Sequence, residues 1–279
     1  MVKTQENNIV KYDNYLNTIK FNGLKSIELN VVMALCSKMK EQGNKYVQLT
    51  YKELKEIMFL KHITDEELRQ LIRATAKKLG DVNGEVVLPT GKIVDFNLFP
   101  TRIDDPNEHT FIIRINEDVM FILNDLTKNF TLFELSEFIS LSSKYSKHLY
   151  RLLKQYRSTG YYTIGIEELK SFLDIPDSYE NKRIRYEILV PSVKELSKFF
   201  IGLDFQKKTK NTKGREVIGY IFTFEAETIP KRNITKQSEQ KQAPKKSNQT
   251  KKTNKFNDFP QRDYSEEDIR ELEKLLLKK

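Results

Sequence analysis

Thr50 with Glu53 and Thr64 with Glu67 form two capping boxes in close succession, and each fixes where a helix must begin. In such a box the hydroxyl accepts the N–H three residues on, while the glutamate reaches back to the capping residue's own N–H. The first helix, 51–58, is therefore short, and the second, 64–79, follows a tight connection and is closed by Gly80. Segments 84–88 and 92–99 alternate as strands about the turn Pro89-Thr90-Gly91, and 110–115 supplies a third strand. Upstream, residues 26–40 carry Ile27, Leu29, Val31, Val32, Leu35 and Met39 on one broad face, as an amphipathic helix does. Helices joined by a tight turn and followed by a hairpin predict a winged helix.

The same order recurs further on. A linking helix over 117–124 leads to a short strand at 130–133, a helix at 143–156 and a short helix at 166–173. A longer helix, 182–198, contains Pro191, which should kink or divide it, because proline lacks an N–H and clashes with the preceding turn. Strands at 201–207 and 216–224 flank a tip, 208–215, that contains Gly214. The fold class expected is α+β, with two tandem winged-helix domains at 1–125 and 126–229. A disordered basic linker, 230–255, and a short helical tail, 256–279, follow.

Charge is unevenly distributed. The chain carries 48 basic and 39 acidic residues, a net +9, but residues 231–279 hold 14 basic and 8 acidic of these. The folded part is then only about +3, so any anion-binding surface on it must be gathered into stripes. Residues 231–255 are nearly devoid of apolar side chains and cannot bury enough surface to fold. In the tail, Ser265 caps a helix with Ile269, Leu272, Leu275 and Leu276 on one stripe, preceded by Phe256, Phe259 and Tyr264. So short a helix is marginal alone, which points to ordering against a partner.

Several classes of function drop out. No signal-peptide pattern opens the chain, and the apolar run 31–36 is too short to span a bilayer, so a soluble cytoplasmic protein is expected. The single cysteine, Cys36, reads as an inert core residue, and His62, His109 and His148 as loop or surface residues without metal-ligand spacing. Gly91-Lys92 lacks the rest of a phosphate loop, and Asp104-Asp105 before Pro106 reads as a turn. A nicking enzyme needs a metal-holding histidine pair beside a tyrosine, and no such pair occurs. The expectation is a protein without catalysis, cofactor or metal.

Basic side chains fall instead at helical spacing. Lys144, Lys147, Arg151, Lys154 and Arg157 share one face of the 143–156 helix region with no acid among them. Five like charges in a row repel one another, so a phosphate backbone is favoured as their partner over a merely solvated face. Lys182, Arg183, Arg185, Lys194 and Lys198 continue that surface, and the hairpin adds Lys207, Lys208, Lys210, Lys213 and Arg215. A helix in the major groove with a basic hairpin on the adjacent backbone is how a winged helix grips duplex DNA. Arg183 and Arg185 are candidates for base edges, with pairing to Glu180 or Glu187 as the rival for either. In the first domain Arg69, Arg73 and Lys77 make a shorter stripe that is either a DNA contact or solvated surface.

The stretch Ser142-Ser143-Lys144-Tyr145-Ser146-Lys147-His148-Leu149-Tyr150-Arg151-Leu152-Leu153-Lys154-Gln155-Tyr156-Arg157-Ser158-Thr159-Gly160 resembles the signature of the plasmid replication initiator (Rep) family of theta-replicating plasmids. The agreement continues through Ile166-Glu167-Glu168-Leu169, Tyr179 and Leu189-Val190-Pro191-Ser192-Val193-Lys194-Glu195-Leu196. The resemblance implies two winged helices that bind directly repeated origin sites, the iterons. The second domain would make the sequence-specific contacts, and the first would add backbone contacts and dimerisation. It also implies monomers that open the origin, dimers that repress or couple origins, and repression of the initiator's own gene. A winged-helix transcriptional regulator without initiator activity is the alternative. Phe256-Asn257-Asp258-Phe259-Pro260-Gln261-Arg262-Asp263-Tyr264 and the leucines after it are similar to a tail of Gram-positive plasmid and phage replication proteins. That likeness implies docking onto a host replication protein such as a helicase or initiator.

Overall fold

A computed structural model describes residues 9–87, 91–127, 129–211 and 216–227. Strand β1 (Ile9–Asp13) turns through a short 3-10 segment into helix α1 (Ser26–Met39). Then come β2 (Val47–Thr50), α2 (Tyr51–Ile57), α3 (Asp65–Leu79), β3 (Asn83–Val87), β4 (Ile93–Asn97), β5 (Thr101–Asp105) and β6 (Thr110–Arg114). Both capping boxes form. The Glu53 N–H donates to Thr50 Oγ1 at 3.1 Å and the Glu67 N–H to Thr64 Oγ1 at 3.2 Å, while each glutamate accepts its cap residue's N–H at 2.8 Å. Strands β2, β6 and β5 make one antiparallel sheet in that order, and β3 with β4 forms a separate hairpin.

The second half repeats the plan with β7 (Phe130–Glu134), α4 (Leu135–Ile139), α5 (Lys144–Gln155), β8 (Tyr161–Gly165) and α6 (Ile166–Leu173). It continues with α7 (Asn181–Arg183), a π-helical segment (Ile184–Leu189), α8 (Val190–Leu196), β9 (Asp204–Thr209) and β10 (Val217–Thr223). Its sheet is ordered β8, β10, β9, so in both halves the last strand lies between the first and the penultimate one. Two winged helices in tandem are therefore present.

Equivalent strands join the halves. Strand β1 pairs antiparallel with β7, Val10 opposite Phe133 and Tyr12 opposite Thr131. Beneath this seam the buried Asn17 amide donates to Thr131 Oγ1 at 3.1 Å and to Gln155 Oε1 at 2.9 Å, and its oxygen accepts the Tyr12 hydroxyl at 3.1 Å. A buried amide satisfied on both sides fixes the relative placement of β1, β7 and α5.

Helix α1 departs from the one-faced pattern read in its sequence. Residues 28–37 are buried all round, because α1 packs against β1, α2, α3, α4 and α5 at once. Cys36 lies within it, and burial pushes its thiol up to about 12, which leaves it unreactive. Pro191 also acts otherwise than by division. The helix runs continuously from 181 to 196 but widens to π immediately before the proline, where the Glu187 carbonyl has no proline N–H to accept from. Asp104 and Asp105 close strand β5: Asp104 accepts from the Tyr51 hydroxyl and, at 3.0 Å, from Arg69, while Asp105 accepts the N–H groups of Asn107 and Glu108 and shapes the turn beyond.

Candidate nucleic-acid interface

The helix spanning 181–196 presents a sharply divided surface. Ile184, Ile188, Leu189, Ser192 and Leu196 are buried, and Lys182, Tyr186, Val190 and Lys194 are exposed at a constant spacing of four. That spacing makes one row along the outward face, and Lys198 is exposed in the turn that follows the helix. Beside the row, Arg183 pairs with Glu187 at 2.7 Å and lies over the Tyr179 ring at 3.7 Å from its centroid. Arg185 is half-buried, with its guanidinium 5.3 Å from the Phe205 ring and 5.7 Å from that of Tyr186. The pairing rival is thus realised for Arg183, and Arg185 leans toward β9. An exposed i,i+4 pair contributes little and exchanges readily, so Arg183 stays available to a stronger anion.

Strand β9 exposes Lys207 and Lys208 on its two opposite sides, and Lys210 pairs with Glu216 at 2.6 Å across the hairpin. Lys213 and Arg215 lie outside the described residues, as do Phe256, Phe259, Tyr264, Ile269, Leu272, Leu275 and Leu276. In the first winged helix Arg73 and Lys77 are exposed on α3, whereas Arg69 is committed to Asp104.

The stripe on α5 is the main correction. Lys147 and Arg151 are 0% exposed and Lys154 and Arg157 4%, so these four do not present a surface to a duplex. Lys147 Nζ donates to the Phe138 carbonyl at 2.6 Å. Arg151 is sandwiched between the rings of Phe21 and Phe172, at 4.8 and 5.7 Å. Lys154 lies 3.3 Å from both Glu137 and Glu227, and Arg157 donates to the Leu132 carbonyl at 3.0 Å. Lys144 is partly exposed and bound to Asp174 at 2.7 Å. The countercharges come from other elements, Glu137 from α4, Asp174 from the end of α6 and Glu227 from the segment after β10, and the remaining cations rest on carbonyls and aromatic faces. His148 is likewise buried rather than on the surface; burial and the nearby Arg151 hold its imidazole well below the usual histidine range.

Burial also depresses the Lys147 ammonium to about 7. Between that pH and the ordinary lysine range, the unfolded chain holds a proton that the folded chain has lost, so stability should rise as pH rises. Thermal melting from pH 7 to 9.5 should show this climb, and Lys147→Met should flatten it. An equal slope in both proteins would mean that Lys147 is not its source.

Two winged helices, each with an exposed basic helix face, define a protein of the duplex-DNA-binding class. Residues 9–154 match the family model described as "Initiator Replication protein, WH1", and residues 165–224 match "Initiator Rep protein, WH2". A "Probable replication protein rep" of Bifidobacterium longum (strain NCC 2705) is 35% identical over 227 residues, 80% of this chain and 75% of that protein. The solved structure described as "Pi initiator protein in complex with iteron DNA" is similar in fold. Its TM-score is 0.61 at 19% identity, over 80% of this chain and 99% of that one. The chain belongs to the replication initiator (Rep) family.

No helix among the described residues is long and apolar enough to cross a membrane, and no group of three or more potential metal ligands occurs among them.

Proposed function

We propose that this initiator binds repeated sites in a plasmid origin through its second winged helix, with residues 181–198 in the major groove and the β9–β10 hairpin on the flanking backbone. The carrying observation is the exposed row with Lys182 and Lys194, continued by the exposed Lys198 in the turn after the helix, together with exposed lysines on β9. Phosphate contacts of this kind set register, and base edges are met from the middle of the helix. The likeness to an initiator solved with iteron DNA supports this use of the fold. The domains 1–125 and 126–229 divide the work: the first adds backbone contacts through Arg73 and Lys77 and dimerises, and the second reads sequence. The linker 230–255 and tail 256–279 recruit the host replication machinery, and the protein works in the bacterial cytoplasm without catalysis or cofactor.

Footprinting with the full chain on the DNA flanking its gene tests the proposal. Protection of evenly spaced direct repeats is expected, and protection of none would overturn it. Autorepression makes the protein a regulator of its own promoter as well. A plasmid that still replicates without the gene would leave regulation as its whole role.

A further inference from the structure

The outward row has an apolar centre. Lys182 lies at one end and Lys194 at the other, while Tyr186 and Val190 between them are 60% and 42% exposed. Single exposed apolar side chains need no explanation. These two, however, occupy the part of the helix that would face the floor of a groove, flanked by cations that would meet its walls. Beside them Glu187 holds Arg183 in an exposed pair that a phosphate can displace, and the Arg185 guanidinium rests against the Phe205 ring. Tyr186 and Val190 are the side chains that offer apolar contact at the centre of the face, and in the major groove the apolar group that distinguishes a base is the thymine 5-methyl.

We infer that Tyr186 and Val190 are specificity-determining residues that pack against thymine methyl groups in each bound repeat. The inference rests on the origin-binding reading and refines it. Tyr186 and Val190 are neighbours along the outward face, so the two thymines should lie close together within one repeat. The π segment, which covers Tyr186 and ends just before Val190, belongs to this reading, since such widened turns are frequent at functional sites.

Deoxyuridine lacks the 5-methyl of thymidine and keeps every hydrogen-bonding group, so it isolates the contact. The full chain is titrated onto a duplex carrying one protected repeat, with each thymine replaced in turn by uracil. Two positions should each lose about fourfold in affinity, the worth of one buried methyl group. Val190→Ala should erase the loss at one of them and Tyr186→Ala at the other, with melting temperatures near that of the parent because both side chains are exposed. Equal binding of thymine and uracil duplexes at every position would overturn the inference and leave origin binding intact. So would sensitivity that persists unchanged in both variants. If the variants instead alter the sedimentation of the free protein and leave uracil sensitivity in place, the face belongs to a second copy of the chain and the inference fails. Absence of any protected repeat defeats the origin-binding reading itself.

Discussion

Replacing Lys182, Lys194 and Lys198 together with alanine should weaken binding to duplex DNA of any sequence, on the order of a hundredfold at moderate salt. All three are exposed, Lys182 and Lys194 on the 181–196 helix and Lys198 in the turn after it, so the loss should be electrostatic and not confined to the repeat. The log–log dependence of affinity on salt should flatten by about 2.7, since each phosphate contact contributes about 0.9. Arg151→Met is the matched control. Arg151 is fully buried between Phe21 and Phe172, and an apolar residue of similar length can replace such a charge with little cost. Its salt slope should equal that of the parent. An unchanged slope in the triple variant, or a flattened one in Arg151→Met, would assign the phosphate contacts to the wrong helix.

A large loss of stability from a small change should come at Gly160. Its φ is +66°, a left-handed conformation that costs a side chain about 1–2 kcal/mol, and an added Cβ would lie 2.3 Å from the Phe224 carbonyl and 3.0 Å from the Ala226 nitrogen. Those neighbours are backbone and are pinned. The Phe224 N–H donates to the Gly160 carbonyl at 2.9 Å, and the Glu227 N–H to that of Arg157 at 2.8 Å. Pushing this segment outward would also draw Glu227 away from Lys154, leaving a buried ammonium with one countercharge fewer. Gly160→Ala should therefore cost about 3 kcal/mol or more in urea unfolding. A loss under about 1 kcal/mol would show that the segment yields, contrary to its hydrogen bonding.

Local signals in the chain carried the architecture well. Capping boxes, a glycine stop and alternating strands are written within a few residues of one another, so both helix-turn-helix units and their hairpins could be placed from sequence. What crosses the chain could not. The α5 cations have no acid on their own helix to balance them, and Glu137 and Glu227 reach Lys154 from separate elements. Burial of α1 on every side depends on β1, α2, α3, α4 and α5 closing around it, and no periodicity within the helix records them. The row Lys182, Tyr186, Val190 and Lys194 is written in the sequence as a spacing of four, but charge marks only its ends, and exposure of the two apolar members is decided by how the helix packs.

The antiparallel ladder between β1 and β7 carries a consequence for dissection. Since each half lends the other a strand, a break in the chain between them yields two pieces that both end in an open ladder, with Val10 and Tyr12 on one and Phe133 and Thr131 on the other. Co-expressed pieces should find each other again through that edge, while either piece made alone should pair with itself or precipitate. The two winged helices are thus inseparable as parts, and chimaeras that exchange one for a relative's must carry the matching strand along with it.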